Sequence, residues 1–270
     1  AANNWSNYSQ ACAVTLDRTD PSAPILISPS DGSIQNHNQV AYTWDPNADV
    51  TQLDGYELSL FLDGLPAMQL MINNPALTQV TVPSVDGVWD WKVRSIDLAG
   101  NYSPWSALWR VTVDTVKPNV PTLLAPVQGA WLANAAVTMS WNQASGFTLS
   151  KGLLLATETF DVEIDGTIVP DVAGTELTRN LSDGVHSWKV RAKDAAGNMS
   201  DWSETRSFTV DTTGPGTPLL ISPSQNALLN FNDVNLDWSD VTDNLSLAGY
   251  ELEISSTVLG MSPVVSWVDA

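Results

Sequence analysis

Apolar and polar side chains alternate along several short segments of the chain. Val40, Tyr42 and Trp44 are separated by small or polar residues, and a lysine separates Trp91 from Val93. Alternation with a period of two is typical of a strand that buries one face and leaves the other in water. The sequence shows no heptad repeat and no long amphipathic helical pattern. The pattern therefore predicts short, half-buried strands.

The alternating segments recur at a fixed interval of 97 residues. Trp105 and Trp202 are 97 positions apart, and residues 2–21 align without a gap to residues 99–118. A feature that is present in every copy belongs to the architecture of the repeat. We therefore predict four segments: the last part of a preceding repeat over residues 1–20, complete repeats over 21–117 and 118–214, and an incomplete repeat over 215–270.

Each complete repeat contains about seven segments of strand character with turn signals between them, which is typical of an antiparallel β-sandwich. Residues 91–106 and 188–203 both follow the pattern W-x-V-R-x-x-D-x-A-G-N-x-S-x-W-S, and each precedes a V-D-T-x-x-P linker. This pattern resembles the fibronectin type III-like and immunoglobulin-like repeats of bacterial or archaeal extracellular surface proteins. The resemblance implies an all-β chain of tandem antiparallel β-sandwiches arranged end to end.

The composition is strongly acidic, with 30 Asp and Glu residues against 11 Lys and Arg residues and a net charge of -19. Such a surface repels nucleic-acid phosphates and anionic membranes, so neither is an expected partner. No apolar run of this segment is long enough to insert into a bilayer. The one cysteine, Cys12, has no partner in the chain, so disulfides are not expected to hold the fold.

Aromatic side chains near the end of the motif are expected to pack against basic side chains of the neighbouring strand. The segments Tyr102-Ser-Pro-Trp105-Ser and Met199-Ser-Asp-Trp202-Ser resemble the W-S-x-W-S box in the fibronectin modules of cytokine receptors. The resemblance implies interleaved aromatic and basic side chains, each contact stabilising by about 0.5–2 kcal/mol. We interpret the cluster as a stabilising ladder in preference to a ligand site. The expected basic partners are Lys92 and Arg94 in the first repeat and Lys189 and Arg191 in the second.

The D-x-A-G-N loops, residues 97–101 and 194–198, are first of all turns, in which glycine supplies a positive φ and asparagine caps its own backbone. In a fibronectin-like sandwich this loop lies where the chain enters the module, so it should approach the aspartate that ends the preceding repeat. Carboxylate and amide oxygens gathered there suit Ca²⁺, which takes roughly 6–8 oxygen ligands. The resemblance to acidic adhesin arrays, which use calcium to stiffen junctions, supports the same hypothesis. The candidate calcium ligands are Asp17, Asp97 and Asn101; Asp114, Asp194 and Asn198; and Asp211, Asp240 and Asp243.

Two positions differ between the repeats in a way that bears on function. Trp131 aligns with Ile34 and Leu228, both apolar, so we interpret it as a core residue in preference to a platform for sugar binding. His186 stands where the first repeat has Trp89, and we interpret it as a variant of the core packing. Neither position predicts catalysis.

The sequence carries no motif for a nucleophile elbow, a zinc protease, a phosphate-binding loop or a dinucleotide site. We expect no enzymatic activity and predict a non-enzymatic extracellular or cell-surface array, such as a stalk, filament or adhesin arm. Neighbouring repeats of the same or an adjacent chain are the expected partners, and a cell-surface or glycan ligand is left open. The alternative is a carbohydrate-binding or spacer region of a secreted polysaccharide-degrading enzyme. We expect the third repeat to be completed by continuation of the polypeptide, or else by strand addition from an adjacent chain.

Overall fold

The computed structural model describes residues 7, 10, 12–46, 52–143, 159–230, 233–254 and 264–269, the last range by its backbone. These residues divide into two compact units, one within residues 1–119 and 193–200 and the other within 120–144, 159–192 and 201–270. In the part of the chain that the structure describes, no helix has the length and apolar character needed to cross a membrane.

The first unit contains a sandwich of two sheets. The strands are β1 (Ile25–Ser28), β2 (Ser33–Gln35), β3 (Gln39–Asp45), β4 (Leu53–Leu62), β5 (Leu65–Ile72), β6 (Gln79–Pro83), β7 (Gly87–Asp97) and β8 (Trp109–Val113). One sheet has three strands in the order β1-β3-β6, and the other has five in the order β2-β8-β7-β4-β5.

Aromatic side chains from both sheets form the core of this sandwich. The ring of Tyr42 on β3 meets Trp91 on β7 edge to face with centroids 5.1 Å apart, and Trp44 meets Tyr56 on β4 at 5.3 Å. All four side chains are fully buried, as the alternation predicts. Burial of each large side chain stabilises the fold by about 1.5–3 kcal/mol, and an edge-to-face pair adds about 0.5–1.5 kcal/mol.

The second unit contains a sandwich with the same strand order. The strands are β9 (Leu123–Ala125), β10 (Ala130–Leu132), β11 (Ala136–Trp141), β12 (Thr159–Ile164), β13 (Thr167–Ala173), β14 (Glu176–Asn180), β15 (Gly184–Lys193) and β16 (Arg206–Val210). One sheet runs β14-β11-β9 and the other runs β10-β16-β15-β12-β13. The core holds Trp188 together with Trp141 and Phe160, whose ring centroids are 5.3 Å apart. The predicted all-β fold of repeated sandwiches is therefore confirmed.

One strand pairing in each sandwich is parallel, which the sequence pattern did not predict. β2 runs parallel to β8 with Ile34 opposite Thr112, and β10 runs parallel to β16 with Trp131 opposite Thr209. After β1 or β9 the chain crosses from the three-stranded to the five-stranded sheet, where it covers the edge of the module's last strand. Covering that edge satisfies backbone groups that would otherwise be open to another chain.

The chain outside the two sandwiches matches the predicted strands only in part. β17 (Leu220–Ser222) pairs with β18 (Asp237–Trp238), and β19 (Gly249–Ile254) pairs with β20 (Val264–Asp269). The alternation through Val234 and Leu236 predicts a longer strand, but β18 has two residues, and the side chains of Val234 and Leu236 are both exposed. The alternation through Val14 and Leu16 likewise yields no strand among residues 12–20, and both side chains are exposed.

Candidate functional site

The D-x-A-G-N loop is a turn organised by its aspartate. Asp97 Oδ1 accepts hydrogen bonds from the backbone N–H groups of Ala99 at 2.9 Å and Asn101 at 2.8 Å, and Oδ2 accepts one from Asn101 Nδ2 at 2.9 Å. Gly100 and Gly197 both have φ of 87°, as predicted. Burial acts to raise the pKa of Asp97, but hydrogen bonds from Asn101, Ala99 and Gly100 outweigh it and hold the pKa below its ordinary value. The aspartate, and not the predicted asparagine, therefore caps the turn.

The asparagine instead ties each loop to the residue that ends the preceding repeat. Asn101 Nδ2 donates to the backbone oxygen of Asp17 at 3.4 Å, and Asn198 Nδ2 donates to that of Asp114 at 2.9 Å. The partners are 84 positions apart in both cases, and all four residues lie in the first compact unit. The expected approach of each loop to that aspartate is present. We call Asp17 with Asp97 and Asn101 the first junction, and Asp114 with Asp194 and Asn198 the second junction.

The second junction is buried and contains two carboxylates. Asp114, Asp194 and Asn198 are all buried, and Asn198 Nδ2 also donates to Asp194 Oδ2 at 2.9 Å. Burial raises the pKa of Asp114, the backbone N–H of Val116 lowers it, and the negative charges of Asp194 and Asp86 raise it again. The net pKa of Asp114 is raised, mainly because burial disfavours the charged carboxylate, and the nearby negative charges add to the effect.

A cation at the second junction would relieve this repulsion. Calcium takes roughly 6–8 oxygen ligands, and the junction supplies the carboxylates of Asp114 and Asp194 together with backbone oxygen. Among the residues that the structure describes, no group of three or more Asp, Glu, His or Cys side chains is gathered in a way that could hold a metal ion. Calcium binding stays a prediction.

The third predicted group is not joined by contacts in the described residues. Asp211 Oδ1 accepts a hydrogen bond from the backbone of Thr213 at 3.3 Å, and Asp243 Oδ1 caps Leu245 at 3.0 Å. No hydrogen bond or ion pair described for this region links Asp211 to Asp240 or Asp243. Asp211 and Asp243 serve local turns in the described structure.

Sequence reasoning missed a second aspartate that recurs with the repeat. Asp86 Oδ1 accepts hydrogen bonds from the backbone and hydroxyl of Thr115 at 3.1 and 2.9 Å, and Asp183 Oδ1 accepts them from Thr212 at 2.9 and 2.7 Å. Asp183 also accepts a hydrogen bond from Asn244 Nδ2 at 3.0 Å. The signal that could have found these residues is the D-G dipeptide repeated 97 positions apart, together with the threonine of the V-D-T linker.

The predicted aromatic and basic ladder is confirmed. Lys92 Nζ lies 4.4 Å from the ring centroid of Trp105, and Arg94 Cζ lies 4.5 Å from Trp105 and 4.1 Å from Tyr102. The faces of these rings are therefore covered by cations, which supports a structural role. In the second sandwich Lys189 and Arg191 lie 5.0 and 4.6 Å from the centroid of Trp202.

The serines of the motif have a role that the resemblance did not reveal. Ser106 Oγ accepts a hydrogen bond from the backbone N–H of Val93 at 3.0 Å, and Ser203 Oγ accepts one from Val190 at 3.0 Å. On the side of the strand that faces the motif, the serine hydroxyl thus accepts the hydrogen bond that a neighbouring strand would otherwise accept. Its recurrence at the interval of the repeat was the available signal.

The predicted burial of Trp131 is wrong. Its side chain is 59% exposed, on the outer face of the five-stranded sheet of the second sandwich. β10 has three residues, which is too short for alternation to show which face each side chain takes. Alignment with Ile34 and Leu228 indicated only that the position accepts an apolar side chain, and both of those residues are exposed as well.

Comparison with known proteins gives relatives that act on polysaccharides. No family model matches the chain. Exoglucanase B of Cellulomonas fimi is 26% identical over 271 residues, which cover 94% of this chain and 23% of the relative. Endoglucanase B of Cellulomonas fimi is 32% identical over 197 residues, covering 67% of this chain and 18% of the relative. Chitinase A1 of Niallia circulans is 28% identical over 173 residues, covering 58% of this chain and 22% of the relative.

The chain thus spans between 18% and 23% of the length of these three relatives. Among solved structures, the fibronectin(III)-like modules of Clostridium thermocellum CbhA align with a TM-score of 0.44 and 17% identity, covering 69% of this chain and 93% of theirs. The resemblance inferred from the repeated motif is confirmed at the level of fold by the strand order of the sheets, which is the same in both sandwiches.

Proposed function

We propose that this chain, an array of fibronectin type III-like modules, is a non-catalytic spacer within a longer secreted protein that degrades polysaccharides. The observation that carries the proposal is the recurrent junction, in which Asn101 and Asn198 each bond the residue that ends the preceding repeat. A contact that recurs with the repeat belongs to the way one repeat follows another. Contacts of this kind restrict the segment between repeats, which is what a spacer of defined length requires.

The relatives support the identity of the protein that the spacer serves. The names of all three denote enzymes that act on glucans or chitin. Because the matched region is a minor part of each relative, we place the catalytic chemistry in other parts of such a protein. Polymers of this size are degraded outside the cell, so the proposal includes an extracellular location.

The chemistry of the described buried carboxylates also supports a non-catalytic role. Glu57 accepts a hydrogen bond from Arg94 Nε at 2.7 Å, and Asp161 accepts one from Arg191 Nη2 at 2.7 Å. Glycoside hydrolysis commonly needs two carboxyl groups that face the same glycosidic bond, one of them as a proton donor. Glu57 and Asp161 are both buried and bound by arginine, so neither is open to a substrate and both suit a structural role.

The surface array predicted first from the sequence uses the same structural properties, and we rank it second. A stalk and an enzyme spacer both need independently folded modules joined by short restricted segments. The relatives' names favour the enzyme spacer, because all three denote hydrolases and none denotes an adhesin or a filament.

The test uses the full-length native protein that contains this segment. Deletion of residues 21–117 removes one whole repeat and places Asp17 where Asp114 normally precedes Asn198, so a junction is retained. Deletion of residues 21–214 removes both complete repeats. We expect hydrolysis of a soluble oligosaccharide to be unchanged in both variants, and hydrolysis of insoluble cellulose or chitin to fall with each repeat removed.

Two results would contradict the spacer. If both deletions leave hydrolysis of the insoluble polymer unchanged, the modules do not act as a spacer for the enzyme. If the intact native protein has no polysaccharide-degrading activity and fractionates with the cell wall, the surface array is the correct function.

A further inference from the structure

Trp131 occupies an outward position on the five-stranded sheet of the second sandwich. In register, Trp131 on β10 lies opposite Thr209 on β16, which lies opposite Val185 on β15. Phe208 and His186, the sequence neighbours of Thr209 and Val185, are buried, so the side chains of Thr209 and Val185 face outward. Trp131 is 59% exposed and Val185 is 74% exposed, about two strand spacings apart, or ~10 Å. We call Trp131, Thr209 and Val185 the outer platform.

The ring of Trp131 differs from the other tryptophan rings that the structure describes. Those rings are buried or half-buried, and the half-buried Trp105 and Trp202 have cations over their faces. Within the described residues, no cation and no second aromatic ring is recorded against Trp131. Single exposed apolar side chains are common in proteins. A tryptophan ring differs from an aliphatic side chain because it offers a large, rigid face and a polar N–H for a contact outside the sandwich core.

Neutral polar side chains flank the outer platform one step along the strands. Ser207 pairs in register with Ser187, and Gln128 bonds Ser207 twice, from Nε2 to Oγ at 2.8 Å and from the Ser207 N–H to Oε1 at 2.9 Å. Hydroxyl and amide groups therefore lie beside an apolar ring. Hydroxyl groups both donate and accept hydrogen bonds, as the hydroxyl groups of a sugar do.

We propose that the outer platform binds a neutral polysaccharide of pyranose rings, with one ring stacked on Trp131. A pyranose ring has an apolar C–H face that packs on an aromatic ring, while its equatorial hydroxyls reach sideways toward groups such as Thr209 and Ser207. The inference deepens the proposed function and rests on it for the choice of polymer, glucan or chitin.

Charge and area favour this occupant over others. The net charge of -19 disfavours anionic polymers, whereas glucan and chitin carry no charge. A tryptophan side chain buries about 150–250 Å² at most, far less than the ~1,000 Å² that a specific protein interface needs. A polymer with many equivalent rings does not need a large interface at each contact, because contacts along one chain add through effective concentration.

The first repeat provides an internal control for the outer platform. The equivalent row there is Ile34, Thr112 and Val88, in which Ile34 is 36% exposed, Val88 is half-buried and Thr112 is buried. That row lacks an aromatic ring. The two repeats therefore differ at the one residue on which the proposal depends.

Affinity electrophoresis of the 270-residue chain tests the proposal, in gels that contain hydroxyethyl cellulose or glycol chitin. We expect the chain to be retarded by at least one of the two polymers, and Trp131→Ala or Trp131→Ile to weaken the association about tenfold, which corresponds to ~1.4 kcal/mol. Trp131→Phe keeps a ring and should retain part of the affinity. Ile34→Ala should migrate as the unchanged chain, and Ile34→Trp should increase retardation by adding a second platform.

The comparison between the polymers identifies the ligand class, and near-ultraviolet circular dichroism checks that each variant is folded. Equal retardation of the unchanged chain and folded Trp131→Ala would overturn the proposal, as would migration unaffected by either polymer. Neither result bears on the spacer, because the deletion of residues 21–117 tests the spacer and leaves Trp131 in place. If retardation depends on Trp131, the proposal that the outer platform binds polysaccharide holds even if the deletions refute the spacer.

Discussion

His186 holds in the second sandwich the position that Trp89 holds in the first, and both side chains donate to a backbone oxygen four residues earlier. Trp89 Nε1 donates to Val85 at 2.9 Å, and His186 Nε2 donates to Ser182 at 2.8 Å. His186 Nδ1 lies 2.7 Å from Asp165 Oδ2. Because a backbone oxygen and a carboxylate are both acceptors, both ring nitrogens must carry a proton to make these hydrogen bonds. The geometry therefore requires the imidazolium.

The pKa shifts of this pair set the pH range in which it stabilises the fold. Burial acts to lower the pKa of His186, but the hydrogen bonds to Asp165 and Ser182 and the charge of Asp165 outweigh it, so the pKa is raised above 6.5. Burial acts to raise the pKa of Asp165, but hydrogen bonds from His186 and Ser187 outweigh it, so the pKa is lowered below 3.8.

The sign of the effect on stability follows from these two directions. A raised histidine pKa gives stability that is fully present below pH 6.5 and is lost as the pH rises through the folded-state pKa. A lowered aspartate pKa gives stability that is present above pH 3.8 and is lost as the pH falls through the folded-state value. The pair therefore stabilises the second sandwich most between about pH 4 and pH 6.5.

The exposure of the two side chains limits the magnitude. The side chain of His186 is 10% exposed, and that of Asp165 is 44% exposed. A hydrogen bond to a charged group contributes about 1.5–3 kcal/mol, and solvent screening of the exposed carboxylate reduces the expected loss to ~1 kcal/mol. For a domain of this size, that loss lowers the melting temperature by about 4–8 °C.

Calorimetry at pH 5.5 and pH 8 and an NMR titration of the imidazole measure this effect. The chain has two histidines, so His37→Gln identifies the signal of His186. His186→Trp restores the residue of the first repeat and should abolish the pH-dependent part of the loss. The reasoning is refuted if His186 titrates at or below its ordinary pKa, or if His186→Trp shows the same fall in melting temperature between pH 5.5 and pH 8.

Three further predictions follow from the junctions and the ladder. Asn198→Ala should lower the free energy of unfolding by about 1–3 kcal/mol in urea titrations, because it leaves buried acceptors unpaired. Asn101→Ala should lower it less, because the hydrogen bond from Asn101 to the exposed linker is long. Equal effects of the two substitutions would contradict the difference in burial. Trp105→Ala should lower the free energy of unfolding by about 1–2 kcal/mol more than an ordinary surface substitution, because two cation–π contacts are lost. An unchanged urea midpoint would show that the ladder does not stabilise the fold. Calcium should raise the melting temperature of the chain, and a chelator should reverse that rise. Asp114→Asn should make the calcium-dependent rise smaller. Melting curves that are the same with calcium and with chelator would show that calcium does not stabilise the junctions.

The sequence predicted the sandwiches because their strands alternate over long enough segments. Tyr42, Trp44, Trp91 and Val93 lie on strands of seven and eleven residues, and their alternation identifies the buried face. The repeat then transfers the same assignment to Trp141 and Trp188, which are also buried. Length and repetition together make these positions predictable.

Short strands and single contacts could not be predicted in the same way. β10 has three residues, so the exposed side of Trp131 depends on its register with Thr209, which no sequence pattern encodes. The parallel pairing of that strand depends in turn on the crossing between sheets. Periodicity indicates which positions lie on the same face of a strand, but it does not indicate which strand pairs with which.

The candidate junctions were predictable in position but not in chemistry. The geometry expected of a fibronectin-like sandwich placed Asn198 near Asp114, and the structure contains that contact. The local geometry decides which atom of the Asn198 amide faces the linker, and in the structure that atom is the nitrogen. The sequence suggested oxygen ligands for a cation, whereas the contact found is a hydrogen bond that the amide donates.

The parallel pairs β2 with β8 and β10 with β16 determine how a module responds to tension. β2 and β10 lie near the start of their modules, and β8 and β16 lie at the end, so each pair joins neighbouring strands through which a pull on the two termini would pass. With the strands running in one direction, such a pull acts along them and strains all of their hydrogen bonds together in shear, whereas a hairpin pulled at its open end separates one bond at a time. In the proposed spacer such a pull would come from an enzyme held on a solid polymer, and these backbone bonds would resist it together with those of β1 and β9.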